Sequence, residues 1–180
     1  MKKKWYLASM LALVLAVTTA CSDGNSDVKD KEKAPASEEQ AGSKADSKSE
    51  AMDFYMQLIS KINENDADLN SYENAAGAEE PPAAEELAEM KKKAAASAEN
   101  TAKAVKEMTV PNVGDAKADF DSGLAKLAES YEMKAEELKK DGEPALDAAN
   151  EKFAEADEAV GTAMEKTGLT KATLGKDING

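Results

Sequence analysis

The stretch that decides the fold is FDSGLAKLAESYEMKAEEL, residues 120–138. Its larger apolar side chains recur at helical spacing, at Phe120, Leu124, Leu127, Tyr131 and Leu138. This spacing places them on one face of an α-helix, whereas a half-buried strand would need strict alternation of apolar and polar residues. The stretch therefore predicts a helix that buries one face against other helices.

The same spacing continues on both sides of this stretch and predicts three more helices. Glycines and prolines separate the segments, because both residue types interrupt helices. The predicted helices cover residues 48–76, 82–108, 115–140 and 144–167. Four long helices joined by short loops are typical of an up-down-up-down four-helix bundle. The predicted fold class is all-α, with residues 48–168 as one helical bundle and residues 169–180 as a frayed C-terminal tail.

Towards the N-terminus the sequence changes character twice. Residues 22–47 are mostly Ser, Ala, Lys, Glu and Asp, which cannot bury enough apolar surface to offset chain entropy. They predict a disordered tether that, together with Cys21, spans residues 21–47.

Before the tether, three lysines at positions 2–4 precede an apolar run at residues 7–17. A spanning helix needs roughly 20 apolar residues, so this shorter run is typical of a secretory signal.

Residues 1–21 resemble the leader of bacterial lipoproteins, whose lipobox has Leu, a small residue, Ala or Gly, and then Cys. Here Thr18, Thr19 and Ala20 precede Cys21, so Thr18 stands where the family prefers Leu. The resemblance implies a signal peptide of residues 1–20 and a diacylglyceryl group on the thiol of Cys21. It also implies a membrane lipid anchor on the extracytoplasmic face. The alternative is an ordinary secretory signal, cut near Ala20, that leaves a free thiol.

The composition restricts the chemistry that the chain can perform. Its formal net charge is −13, and loss of the three leader lysines would make it more negative, so we expect no nucleic-acid partner. The chain has no histidine and no arginine, and Cys21 is its one cysteine. In enzymes, histidine is the usual general base, arginine the usual clamp for an oxyanion, and cysteine the usual thiolate nucleophile. We therefore expect no enzymatic activity and no cofactor.

One segment resembles the start of a calcium-binding loop. Asp66, Asp68 and Asn70 occupy the first, third and fifth positions of such a loop. Ser71 then replaces the glycine that the loop needs for its turn, and Gly77 stands where the bidentate acid should be. The sequence therefore predicts no metal site here.

Asp66 also lies at the next inward position of the apolar stripe in the first predicted helix. This position allows two interpretations. A polar residue in a helix seam can fix register or line a wet cavity. The favoured interpretation is a small rotation of the helix that points Ala67 inward instead.

Two functions fit the sequence. The first is a non-enzymatic lipoprotein that presents its helical bundle to an unidentified envelope protein or wall component. The second is a receptor for a small molecule bound inside the bundle, with Tyr55, Tyr72 and Tyr131 around the ligand. The favoured interpretation of the same tyrosines is that they are core residues whose hydroxyls reach the surface. An exposed apolar patch on one helix would favour the first function, and a void lined by the tyrosines the second.

Overall fold

The computed structural model describes the backbone of residues 38–178 and the side chains of residues 45–178. Within this range all regular structure is helical, which confirms the predicted all-α class. The α-helices are α1 (Glu38–Asn63), α2 (Ala67–Ala76), α3 (Ala84–Lys106), α4 (Lys117–Lys139), α5 (Asp147–Lys166) and α6 (Leu174–Asp177), and a 3₁₀ turn (Gly114–Ala116) precedes α4. The predicted signal peptide, Cys21 and most of the predicted tether lie outside the described residues.

Helices α3, α4 and α5 match the predicted segments to within a few residues at each end. Helix α3 packs against both α2 and α4, and α4 packs against α5. The five apolar side chains that predicted α4 are all buried. Many of their neighbours on α3 and α5 are alanines, such as Ala98 and Ala156, which let the helices approach closely. At Gly123 the approach leaves no room for a side chain, because a Cβ there would lie 2.6 Å from Cγ2 of Val160.

The first predicted helix, residues 48–76, is two helices in the structure. Helix α1 starts earlier, at Glu38, so residues 38–47 are helical although the sequence assigned them to the tether. These residues include Glu, Gln, Ala and Lys, which favour a helix even without an apolar face. The chain leaves the helix after Asn63 and re-enters it at Ala67. Asn and Asp occur at this break, and both prefer helix ends to helix interiors.

The C-terminal residues are packed rather than frayed, so that prediction is wrong for residues 174–178. Leu174 is fully buried and Ile178 is nearly so. The backbone N–H of Leu174 donates to Oδ1 of Asp157 on α5 at 2.6 Å. The hydroxyl of Tyr55 on α1 donates to Oδ2 of Asp177 at 2.6 Å. The tail is anchored because Leu174 and Ile178, one helical turn apart, bury their side chains on the same face.

None of the described helices combines the length and the hydropathy that crossing a membrane requires.

Candidate functional site

A serine on α3 holds the break between α1 and α2. The hydroxyl of Ser97 donates to the backbone carbonyl of Asn65 at 2.5 Å and accepts from the N–H of Leu69 at 3.4 Å. The first N–H groups of a helix have no partner within the helix, and a serine oxygen is a good acceptor for them. Ser97 is buried, so it acts as a cap supplied by a neighbouring helix.

The break places Asp66 in the interior. Asp66 is 2% exposed whereas Ala67 is exposed, so the favoured expectation that Ala67 points inward is wrong. The physical reason is that the chain leaves the helix before Asp66 and starts a new one, instead of rotating one continuous helix. Oδ2 of Asp66 accepts a hydrogen bond from the hydroxyl of Tyr131 at 3.3 Å.

The buried carboxyl of Asp66 titrates differently from an exposed one. Burial raises the pKa of Asp66 above its usual value, because the charged form loses its hydration. Hydrogen bonds from Asn70 and Tyr131 and the positive charge of Lys134 oppose that rise. Burial also raises the pKa of Tyr131, and the nearby Asp66 carboxylate adds to the rise. The Tyr131 hydroxyl therefore stays protonated and acts as a donor.

A salt bridge lies beside Asp66. Nζ of Lys134 on α4 donates to Oε1 of Glu73 on α2 at 2.8 Å. The Lys134 side chain is mostly buried, and that of Glu73 is 33% exposed. Asp66, Glu73 and Lys134 thus bring two acidic side chains and one basic side chain together.

These side chains line a cleft of about 270 Å³, which we call the Asp66 cleft. It lies between α2, α4 and α5, and the residue after α6 closes part of it. The rings of Tyr131 and Phe153 meet edge to face there, with their centroids 6.4 Å apart. The cleft is lined by Asp66, Leu69, Asn70, Glu73, Tyr131, Lys134, Asn150, Phe153 and Ile178.

The three candidate tyrosines do not surround one cavity. Tyr131 lines the Asp66 cleft, whereas the hydroxyl of Tyr55 is bonded to Asp177. Tyr72 lines a separate groove of about 570 Å³, which also contains Leu87. All three side chains are buried, in line with the favoured interpretation as core residues, and they do not line one shared pocket.

The segment with calcium-loop spacing forms the beginning of α2. Its side chains diverge around the helix, so that Asp66 is buried and Asp68 is exposed. Within residues 45–178, no group of three His, Cys, Asp or Glu side chains is placed to hold a metal ion.

Sequence reasoning singled out Asp66 and Tyr131 but missed Glu73, Lys134 and Asn150. The apolar spacing carries no signal for these three, because they are ordinary polar residues on helix surfaces in the sequence. A signal did exist for Ser97, which interrupts the apolar stripe of α3 with a hydroxyl.

The described surface also carries one apolar face on α1. Met52 is 40% exposed and Met56 is 59% exposed. Ile59, which is partly buried, continues the same face at helical spacing. We call these three residues the α1 face.

Comparison with known proteins adds no relative. No family model matches the chain, and no curated protein and no solved structure matches it significantly.

Proposed function

We propose that this chain is a lipid-anchored, non-enzymatic lipoprotein on the extracytoplasmic face of the cell membrane, where its helical domain binds another envelope protein. The observation that carries the proposal is the order of residues 2–21: lysines, an apolar run, small residues and then Cys21. Signal peptides have this order, and the lipobox places the acceptor thiol directly after the small residues. Two acyl chains on Cys21 give firm attachment, whereas a single chain binds a membrane only marginally.

We infer that the helices form an up-down-up-down bundle in which α1 and α2 together replace the predicted first helix. Contacts between helices that are consecutive in the chain support this topology, namely α2 with α3, α3 with α4 and α4 with α5. The connections between them are short, which favours antiparallel neighbours. The close approach of α4 and α5 at Gly123 supports the same arrangement.

The α1 face is the proposed contact for the partner. Most large apolar side chains of the described residues are buried, so Met52 and Met56 stand out by their exposure. Methionine side chains are flexible and polarisable, which suits a surface that adapts to a partner. Both lie on the first helix after the predicted tether. An envelope protein with a complementary apolar surface would bury this face.

Two experiments test the proposal separately. For the anchor, Cys21→Ala should move the protein from the membrane fraction to the soluble fraction, whereas Asn25→Ala should leave it attached. The membrane fraction is washed with high salt and carbonate before the comparison. A Cys21→Ala protein that stays in the washed membranes would contradict the lipid anchor.

For the partner, lysine crosslinking in cells followed by mass spectrometry identifies the proteins that lie against α1. Lys48 and Lys61 are exposed on this helix and should link to one recurrent envelope protein. Met56→Glu should abolish these links, because it places a charge at the apolar contact. Gln57→Glu adds the same charge at the neighbouring exposed position and is the matched control. Links that survive Met56→Glu would show that the α1 face is not the contact.

A further inference from the structure

We propose that the Asp66 cleft binds a small organic molecule that carries a positively charged amino group, with the Asp66 carboxylate as its counter-ion. This site is additional to the envelope interaction proposed above and does not depend on it. The charge of the cleft, its walls and its size support this site.

The charge of the cleft favours a cation. Lys134 forms its salt bridge with Glu73 at 2.8 Å and also acts on Asp66 through its charge, so the two acidic side chains of the cleft share one lysine. The bond that Asp66 accepts from the Tyr131 hydroxyl is 3.3 Å long, which is longer than the range of about 2.5–3.0 Å typical of O–H···O hydrogen bonds. A positive charge stabilises a buried carboxylate, and a bound ammonium group would supply a second positive charge beside that of Lys134.

The walls of the cleft favour an organic cation. Tyr131 and Phe153 present aromatic rings, and an ammonium group is attracted to the face of such a ring. Asn70 and Asn150 also line the cleft, and a side-chain amide oxygen can accept a hydrogen bond from an N–H group. Ile178 adds an apolar wall for a short hydrocarbon part. Calcium would need about six to eight oxygen ligands, whereas an ammonium group needs only three acceptors.

The size of the cleft limits the ligand. At about 270 Å³ the cleft is slightly smaller than the usual range of ligand sites, which is about 300–1,000 Å³. It therefore suits a molecule of a single ring or a short chain rather than an extended peptide.

Three probes of the same shape test the charge recognition. Benzylamine is cationic at neutral pH, benzyl alcohol is neutral and benzoate is anionic. Each is titrated into the full chain in detergent micelles, and backbone amide shifts are followed by NMR. We expect benzylamine to shift the amides of Leu69, Tyr131 and Phe153, and to bind about tenfold or more tightly than the other two probes. Equal affinities for the three probes, a preference for benzoate, shifts confined to other helices, or no binding at all would each overturn the proposal.

A pair of variants then assigns the recognition to Asp66. Asp66→Asn keeps the shape of the side chain and removes its charge, so benzylamine affinity should fall by about tenfold or more. Asp68→Asn makes the same change at an exposed position of α2 and should leave the affinity unchanged. Equal losses in the two variants would overturn the role of Asp66. If Asp66→Asn does not fold, the comparison of the three probes on the unmodified chain decides whether the Asp66 cleft prefers a cation.

Discussion

Replacing Gly123 with alanine should loosen the contact between α4 and α5 and lower the free energy of unfolding. The added Cβ would lie 2.6 Å from Cγ2 of Val160 and 3.5 Å from the backbone carbonyl of Ala156. Val160 is fully buried, and a β-branched side chain in a helix has one strongly preferred rotamer. The methyl group therefore cannot swing aside, and the two helices must move apart.

The magnitude follows from two opposing effects. Forcing an extra carbon into a packed core costs about 1–3 kcal/mol. Alanine is a better helix former than glycine and returns about 0.8–1.0 kcal/mol. The net expectation is a loss of about 1 kcal/mol in the free energy of unfolding. For a domain of this size, that loss lowers the melting temperature by about 2–5 °C.

Urea and heat denaturation followed by far-UV circular dichroism measure this loss. Gly175→Ala is the control, because its added Cβ would meet Cε1 of Phe153 at an ordinary contact distance of 3.6 Å. Val160→Ala removes the methyl group that the new Cβ would strike, so the double variant should lose less stability than the sum of the two single variants. A Gly123→Ala protein that is more stable than the parent would refute the close approach of α4 and α5.

Three further perturbations test other parts of the structure. Ser97→Ala leaves two backbone groups near the start of α2 without their partner and should lower the free energy of unfolding, measured by urea denaturation, by about 1–3 kcal/mol. An equal loss from Ser71→Ala, at an exposed position, would contradict the capping role. Leu174→Ala should cost about 2–5 kcal/mol, because it leaves a cavity under the C-terminal tail; unchanged thermal unfolding would show that the tail is not docked. Burial raises the pKa of Asp66 above its usual 3.8, so its contribution to stability is fully present below that pH and is lost as the pH rises through the raised value. Asp66→Asn should remove this loss of stability with rising pH. If the free energy of unfolding depends on pH in the same way in both proteins, the burial of the Asp66 carboxyl has no such effect.

The helices α3, α4 and α5 could be predicted because their apolar residues keep helical spacing between clear breaks. The break before α2 could not be placed in the same way, although Asn65 and Asp66 are typical of helix ends. What fixes the break is the hydroxyl of Ser97, which is distant in sequence and meets the chain only after α3 has folded against it. A continuous helix and a broken one have nearly the same local pattern, and a tertiary contact decides between them.

The cleft was predictable only in part for a similar reason. Asp66 stood out because a carboxylate occupied an inward position. The partner residues Lys134 and Glu73 are far apart in sequence, and their meeting depends on how α4 packs beside α2. The docked tail was missed because a short amphipathic segment among glycines has low helix propensity by itself. Burial of Leu174 supplies the stabilisation that the local sequence lacks.

Intact-mass spectrometry of the protein isolated from the membranes of its own cells tests the proposed function most directly. The proposal predicts a chain that begins at Cys21, without residues 1–20, and carries the added mass of a diacylglyceryl group on that residue. Fragmentation should place the lipid on Cys21 itself. A chain that retains residues 1–20, or one that begins near Cys21 with an unmodified thiol, would contradict the lipid anchor.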